Sequence, residues 1–480
     1  MLDFFSQAAL LSLLLLALAY VRLARAISYS GGVPRVGSPG VLGYIQTALK
    51  WTIHAEDVIK EGRQQFFGKP FVIPTLFNEM IAVNEDLQLP YTMDEHQLRN
   101  PYQARVLRTD VNRAIPSYIP EILDESVLAM NEAFKHSGQE ASGVPVFDTM
   151  TFLIARISNR VILGKELCRN ENFLNAIVRF AETTPLMAPF IQWSPLLLRP
   201  LVYFVLSNIL GGKKQPLTYI VPYLKRRIKE GQIITEKSGL VSEYLIQNAP
   251  ADESIEGIAV RLLNINFGSI HTSSIFITQT LFEIALLPAE DIESMRTEVK
   301  EALDSEGGWT KGALDKFHKI DSALREIGRY YGLMYFALPR YTMVDCDLGD
   351  GLYVPLGHRV AIDMTAIHFD PNIYPDPYRC DVFRFSKLRE QNGDDSAKYG
   401  FATVDSSYLP FGAGRHACAG RFFAAMELKI MLAHILLEYD ISYPPCVNQR
   451  PSNATFNGAI IPDTKARIIF KPRGHQDHQS

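Results

Sequence analysis

Phe411-Gly412-Ala413-Gly414-Arg415-His416-Ala417-Cys418-Ala419-Gly420 runs directly into RFFAAMELKIMLAHILLEY, residues 421–439. A glycine-rich loop thus delivers one thiol to the start of an apolar, helix-forming run. The first N–H groups of a helix have no partner within it, and the aligned peptide dipoles add partial positive charge there. A cysteine at that point is expected to have a lowered pKa and to stand as thiolate. Gly412, Gly414 and Gly420 carry no Cβ, which lets the backbone approach a flat ligand closely. On the thiol alone three readings stay open: a structural cysteine in a tight turn, a nucleophile, or a metal ligand. The other cysteines, Cys168, Cys346, Cys380 and Cys446, are widely and irregularly spaced. An odd count of five with no CxxC pair makes neither a disulfide framework nor a structural zinc site, so the thiols read as reduced.

The loop resembles the haem-binding signature of the cytochrome P-450 family, F-x-x-G-x-[RH]-x-C-x-G, at Phe411, Gly414, His416, Cys418 and Gly420. It departs from the commonest form at His416, where arginine is usual, and at Ala419, where many members have proline. The resemblance implies haem b with Cys418 as the axial thiolate. Phe411, Gly414 and Gly420 would then shape the haem site, and His416 would touch a propionate.

Other segments fit the same resemblance in the family's order. Glu326-Ile-Gly-Arg329 sets a carboxylate and a guanidinium on one helical face. Alone it could be an exposed pair worth under ~1 kcal/mol, but it resembles the ExxR motif. Arg384, within Asp381-Val382-Phe383-Arg384-Phe385, stands in for the arginine of the PERF segment, with the Pro and Glu lost. The triad would lock the cysteine loop, and a buried charge cluster must be fully paired to be tolerated. Pro339-Arg340 is similar to the strand arginine that pairs with a haem propionate, and His368-Phe369-Asp370-Pro371 to a structural H-x-D-P segment. Gly268-Ser269-Ile270-His271-Thr272-Ser273-Ser274 puts small and polar residues inside an apolar helix. That pattern fits a local distortion near a ligand or hydroxyls bonded back to their own helix. It resembles the oxygen-activation motif [AG]-G-x-[DE]-T, with Thr272 matching, His271 in place of the acid and Ser269 in place of the second glycine. Thr272 and His271 are therefore the candidate catalytic residues, with His271 either a proton relay or a bystander.

Working outward, residues 145–165, 215–232 and roughly 254–287 read as helices, the last stopped by Pro288. After Pro339 the texture becomes strand-rich through Ile362, and 457–473 reads as a hairpin. Residues 186–211 are strongly apolar but broken by Pro189, Pro195 and Pro200. They could line a pocket, rest on a membrane surface, or be plain core. Length alone would suggest about three domains; the resemblance, which covers essentially the whole chain, implies one monooxygenase domain over 41–480, mainly α with a minor β part.

At the N-terminus, residues 4–21 carry no charge and are followed by Arg22 and Arg25. This reads as a single-pass transmembrane helix within an anchor over 1–26, with the positive flank cytosolic. The alternative is a cleaved signal peptide, given the small residues at Ala24 and Ala26. Residues 27–40 form a Pro/Gly-rich elbow. With a formal net charge of -4 and no basic block, nothing points to nucleic acid.

The resemblance implies a haem-thiolate monooxygenase of the microsomal type, in the endoplasmic reticulum membrane with its catalytic part cytosolic. It would place one oxygen atom of O2 in an apolar small molecule and release the other as water. Electrons would come from NADPH through a flavoprotein reductase. The G-R-H-x-C and I-H-T variants resemble fungal secondary-metabolism members, which implies a terpenoid or meroterpenoid substrate. Two other functions remain: a reductase-independent haem-thiolate isomerase or dehydratase, and a non-enzymatic haem-binding membrane protein.

Overall fold

The computed structural model describes residues 33–66, 69–75, 97, 100–135, 142–231, 239–349, 352–393, 398–445 and 447–474. The expected anchor over 1–26, part of the elbow and Cys446 lie outside them. Among the described residues no helix is long and apolar enough to cross a membrane.

The chain divides into two compact units. The larger comprises 83–333, 364–453 and 461–480 and is dominated by helices. Its longest helix, Ile255–Ile284, starts where Ser254 Oγ accepts the Gly257 N–H at 2.9 Å, with Glu256 in the first turn. It ends at Ala285, shortly before Pro288. The helices Val146–Ile162, His318–Tyr330 and Arg421–Glu438 share one apolar core with it, the last two buried almost throughout. The β part of this unit is one antiparallel sheet in which 467–472 lies between 144–145 and 439–442.

The smaller unit gathers, among the described residues, 33–66 and 69–75 with 334–349, 352–363 and 454–460. Helices Gly40–Ile53 and Ala55–Gln65 pack Trp51, Val58 and Ile59 on Tyr335, Phe336 and Ile460. Strand Phe336–Tyr341 pairs antiparallel with Arg359–Asp363 across a bulge between Ala337 and Arg340.

The helices expected at 145–165, 215–232 and 254–287 stand at Val146–Ile162, Lys214–Lys229 and Ile255–Ile284. The tail differs from the expectation. A short hairpin, Ala454–Phe456 with Ala459–Ile461, turns at Asn457-Gly458, and strand Arg467–Pro472 leaves it to pair with segments distant in sequence. Residues 186–211 also resolve. Helix Glu171–Trp193 runs through Pro189, and helix Arg199–Leu210 begins with Pro200 in its first turn, where a missing N–H costs nothing. That second helix buries none of its described side chains; Leu201, Phe204 and Ile209 are each about 60% exposed.

Candidate active site

The cysteine loop closes on itself. The Cys418 N–H donates to the Phe411 carbonyl at 2.8 Å, and Ala417 N–H to Gly414 at 3.2 Å. Gly414 takes a φ of +61°, a left-handed conformation that favours glycine. Helix Arg421–Glu438 then begins, and the Gly420 and Arg421 N–H groups point at the Cys418 sulfur. The residue keeps accessible surface, yet it lies deep in the unit. Burial raises its thiol above the ordinary value, outweighing those two N–H groups and the charges of Arg421 and Arg108. The lowered pKa expected from the helix start is therefore not what the protein groups give by themselves. A bound cation would have to complete the deprotonation.

Phe411 anchors the loop. Its ring stacks on Phe276 of the long helix at 6.0 Å between centroids and meets Phe401 edge-on at 5.0 Å. Phe276 is one turn beyond Thr272, so the start of the cysteine loop and the candidate oxygen-side residue are brought together. Arg108, in a short π-helical turn over Leu107–Val111, donates to the Arg415 carbonyl at 2.8 Å and to Ala417 at 3.4 Å. Sequence reading missed it, since nothing local marks an arginine that will cap a loop 307 residues away.

Glu326, Arg329 and Arg384 form a buried cluster rather than a surface pair. Arg329 Nε and Nη2 each reach a Glu326 oxygen at 2.8 Å, Arg384 Nε lies 3.2 Å from both oxygens, and the Asp381 N–H adds a bond at 2.9 Å. The remaining Arg329 protons go to the carbonyls of His368, Pro377 and Arg379. His368 carries the link onward. Its Nδ1 lies 2.9 Å from the Arg329 carbonyl, and the Leu409 N–H lies 3.2 Å from Nε2. A carbonyl can only accept and an N–H only donate, so these partners fix the neutral tautomer with the proton on Nδ1. Burial lowers the His368 pKa to about 3, consistent with that form. The charge cluster is thus joined through one imidazole to a residue two before Phe411.

The long helix is unbroken through 268–274. Thr272 Oγ1 donates to the Gly268 carbonyl at 2.7 Å and Ser274 Oγ to Ile270 at 2.6 Å, so the hydroxyls bond back to their own helix. Much of this helix is buried; Ile265, Phe267, Ser269 and His271 keep some accessible surface, and so do Asn264, Gly268, Thr272 and Ile275. The latter four recur at helical spacing and so form one stripe. His271 is different. Its ring bonds the Ala181 carbonyl of helix Glu171–Trp193, Nε2 has no partner among the described residues, and burial lowers its pKa.

Arg340 belongs to the smaller unit. It follows Leu338, at φ +53°, in the bulged strand, and its exposed guanidinium donates to Pro339 at 2.8 Å. His416 is exposed. The propionate roles of both rest on the resemblance.

The residues of the larger unit fit a flat, thiolate-ligated group. A Cβ built on Gly268, Gly414 or Gly420 would meet no atom within 4 Å, so there is room beside all three backbones. The sulfur keeps accessible surface next to two of them, with two N–H groups to stabilise its charge.

The family model described as Cytochrome P450 matches residues 93–470. Cytochrome P450 monooxygenase 103 of Postia placenta is 30% identical over 475 residues, covering 92% of this chain and 93% of that protein. Cytochrome P450 monooxygenase paxQ of Penicillium paxilli is 29% identical over 472 residues, covering 92% of each. The crystal structure of the cytochrome P450DA heme domain superposes with a TM-score of 0.59 at 20% identity, covering 77% of this chain and 76% of that one, and so shows the fold. A match running through the cysteine loop and across most of the chain carries the assignment: this protein belongs to the cytochrome P450 family, and its cofactor is a haem under cysteine thiolate ligation.

Proposed function

We propose that this protein hydroxylates, or otherwise oxygenates, a terpenoid or meroterpenoid of fungal secondary metabolism. The observation that carries the reading is the apposition of the cysteine loop and the accessible stripe of the long helix, joined by Phe411 on Phe276. Cys418 would hold the iron, with Phe411, Gly414, Gly420 and His416 around the haem; a propionate role for Arg340 is what the family resemblance implies. When bound, the haem activates O2 with electrons from NADPH, supplied through a flavoprotein reductase, and inserts one oxygen atom into the substrate while the other becomes water.

The chain's own groups do the rest. Gly420 and Arg421 N–H groups stabilise negative charge on sulfur. The proton of Thr272 Oγ1 is committed to Gly268, which leaves its lone pairs to hold a proton donor on the accessible stripe. His271 bonds helix Glu171–Trp193 through the Ala181 carbonyl, beside Thr272 on the long helix. An apolar surround favours an apolar substrate, and Thr272 favours oxygen activation over peroxide rearrangement.

The test is a pair of variants. Cys418→Ser is expected to lose the thiolate-type spectrum of the ferrous carbon monoxide complex; an unchanged spectrum ends this reading. Thr272→Ala is expected to keep haem and NADPH consumption but to lower the ratio of product to NADPH, and an unchanged ratio removes the role given to Thr272.

The protein is also proposed to sit on the endoplasmic reticulum membrane, single-pass, with its catalytic part cytosolic. Two features support this: the uncharged run over 4–21, and helix Arg199–Leu210, which buries none of its described side chains fully and exposes Leu201, Phe204, Val205 and Ile209. No Asp or Glu occurs between residues 183 and 229, while Arg199, Lys213 and Lys214 flank that helix, as suits an anionic lipid surface. Deleting residues 1–26 should weaken membrane association only partly. Complete release into the soluble fraction would remove the helix from the membrane reading.

A further inference from the structure

We propose that Asn264 and Gln97 form a hydroxyl-reading subsite, so that the substrate is an apolar scaffold already carrying an alcohol. The inference rests on the monooxygenase reading above and specifies its substrate. Asn264, Gly268 and Thr272 recur every fourth residue along the long helix and lie on its accessible stripe. Asn264 Nδ2 donates to Gln97 Oε1. Gln97 is 3% exposed. After that bond, Gln97 Nε2 and Asn264 Oδ1 are both buried and have no partner among the described residues.

Unmet buried polar atoms are costly and call for an explanation. What remains is one donor and one acceptor, on two amides already bonded to each other. That is the complement of an alcohol, whose oxygen accepts while its proton donates. A ketone would use only the donor, and a hydrocarbon neither. A carboxylate would set its charge against Asn264 Oδ1. Turning both amides over exchanges their roles but again leaves one donor and one acceptor, so the inference does not depend on how the amides are oriented. Asn264 itself keeps accessible surface on the stripe, where a substrate lying along the helix would meet it.

The spacing constrains the scaffold. Two helical turns separate Asn264 from Thr272, about 12 Å along the axis at the usual rise. A hydroxyl held at Asn264 therefore points to oxidation at the opposite end of a rigid skeleton several rings long. It also orders the chemistry: a reaction that creates an alcohol, such as a prior hydroxylation or an epoxide-opening cyclisation, must precede this one.

The test uses the full-length holoenzyme and matched probes: lanosterol, a labdane diterpene alcohol and cedrol, each beside its deoxygenated counterpart. Dissociation constants are read from the substrate-induced change in the haem spectrum. Wild type is expected to bind at least one alcohol about tenfold or more tighter than its partner hydrocarbon, the scale of a buried hydrogen-bonded pair. Asn264→Leu and Gln97→Met are each expected to bring that ratio close to one. Wild type that binds no alcohol of the set, that shows no preference for any alcohol, or whose preference survives both substitutions overturns the subsite. The carbon monoxide spectrum of the same wild-type sample keeps the two claims apart. Its absence would defeat the haem-thiolate reading, whereas its presence with an unmoved ratio defeats the subsite alone.

Discussion

Glu326 and Glu427 are both wholly buried and both helical, yet their surroundings differ completely. Glu326 is met by two guanidinium groups and a backbone N–H. Glu427 is met by one hydroxyl, Ser158 Oγ at 2.6 Å to Oε1, while Oε2 has no partner among the described residues. Burial pushes Glu427 up to about 8, so it is mostly protonated at neutrality. Equal burial thus leads to opposite solutions: one acid is kept by matching it with cations, the other by holding on to its proton. A buried carboxyl is tolerated either as half of a charge balance or as a neutral group, and the donors around it decide which.

The largest expected effect breaks the first solution. Glu326→Ala leaves Arg329 and Arg384 facing each other without the acid, at a cost of roughly 3–5 kcal/mol. The measurement is the thermal melt together with haem content per protein. Normal values for both would mean that the cluster contributes nothing to the fold. Next comes the second solution. The unfolded chain releases the Glu427 proton near its ordinary 4.5, whereas the folded protein holds it to about 8. Between those values the folded state binds more protons, so this group makes stability fall as pH rises from about 4.5 to 8 and stay level above. Glu427→Gln should remove that fall, with no gain below pH 4.5 and a gain of about 3 kcal/mol at pH 7. Urea unfolding at several pH values tests it, and parallel curves for the two proteins would contradict the neutral acid. The smallest effect is expected at the junction between the charge cluster and the loop. His368→Leu keeps the Glu326–Arg329 pair but orphans the Leu409 N–H, at about 1–3 kcal/mol. Haem dissociation should quicken more than the melting temperature falls, and the reverse ranking would place His368 in the general core instead.

Glu326, Arg329 and Arg384 were legible in the sequence only through their resemblance to the ExxR and PERF segments, whereas the cysteine loop, a glycine-rich turn before an apolar helix, is a local pattern. His368 was recognisable only as a structural segment; its bridge between Arg329 and Leu409 depends on chains that meet in space. Glu427 and Arg108 gave no signal at all, since burial and loop capping are decided by packing. The tail was misread for the same reason. A strand's partner is chosen by the whole sheet, and Arg467–Pro472 found Tyr439–Ser442 and Val144–Pro145 rather than its neighbour. At Cys418 the helix start was visible in the sequence, whereas the depth that raises the thiol pKa in the protein by itself was not.

Between Glu326 and Arg329 lies Gly328, where a Cβ would come within 2.3 Å of the Tyr408 hydroxyl. Tyr408 cannot step aside, for it is 0% exposed, lies beneath the Arg325 guanidinium at 4.0 Å and stacks on His368. In a mutational screen, alanine or serine at 328 would therefore score like the loss of a haem residue. Every group that touches cofactor or substrate would be intact, and a survey ranking positions by sensitivity would mark a residue with no side chain as part of the chemistry. Sensitivity at this place reports the width available between a helix and a tyrosine, and a ranked map of the protein needs that distinction before its strongest positions are read as catalytic.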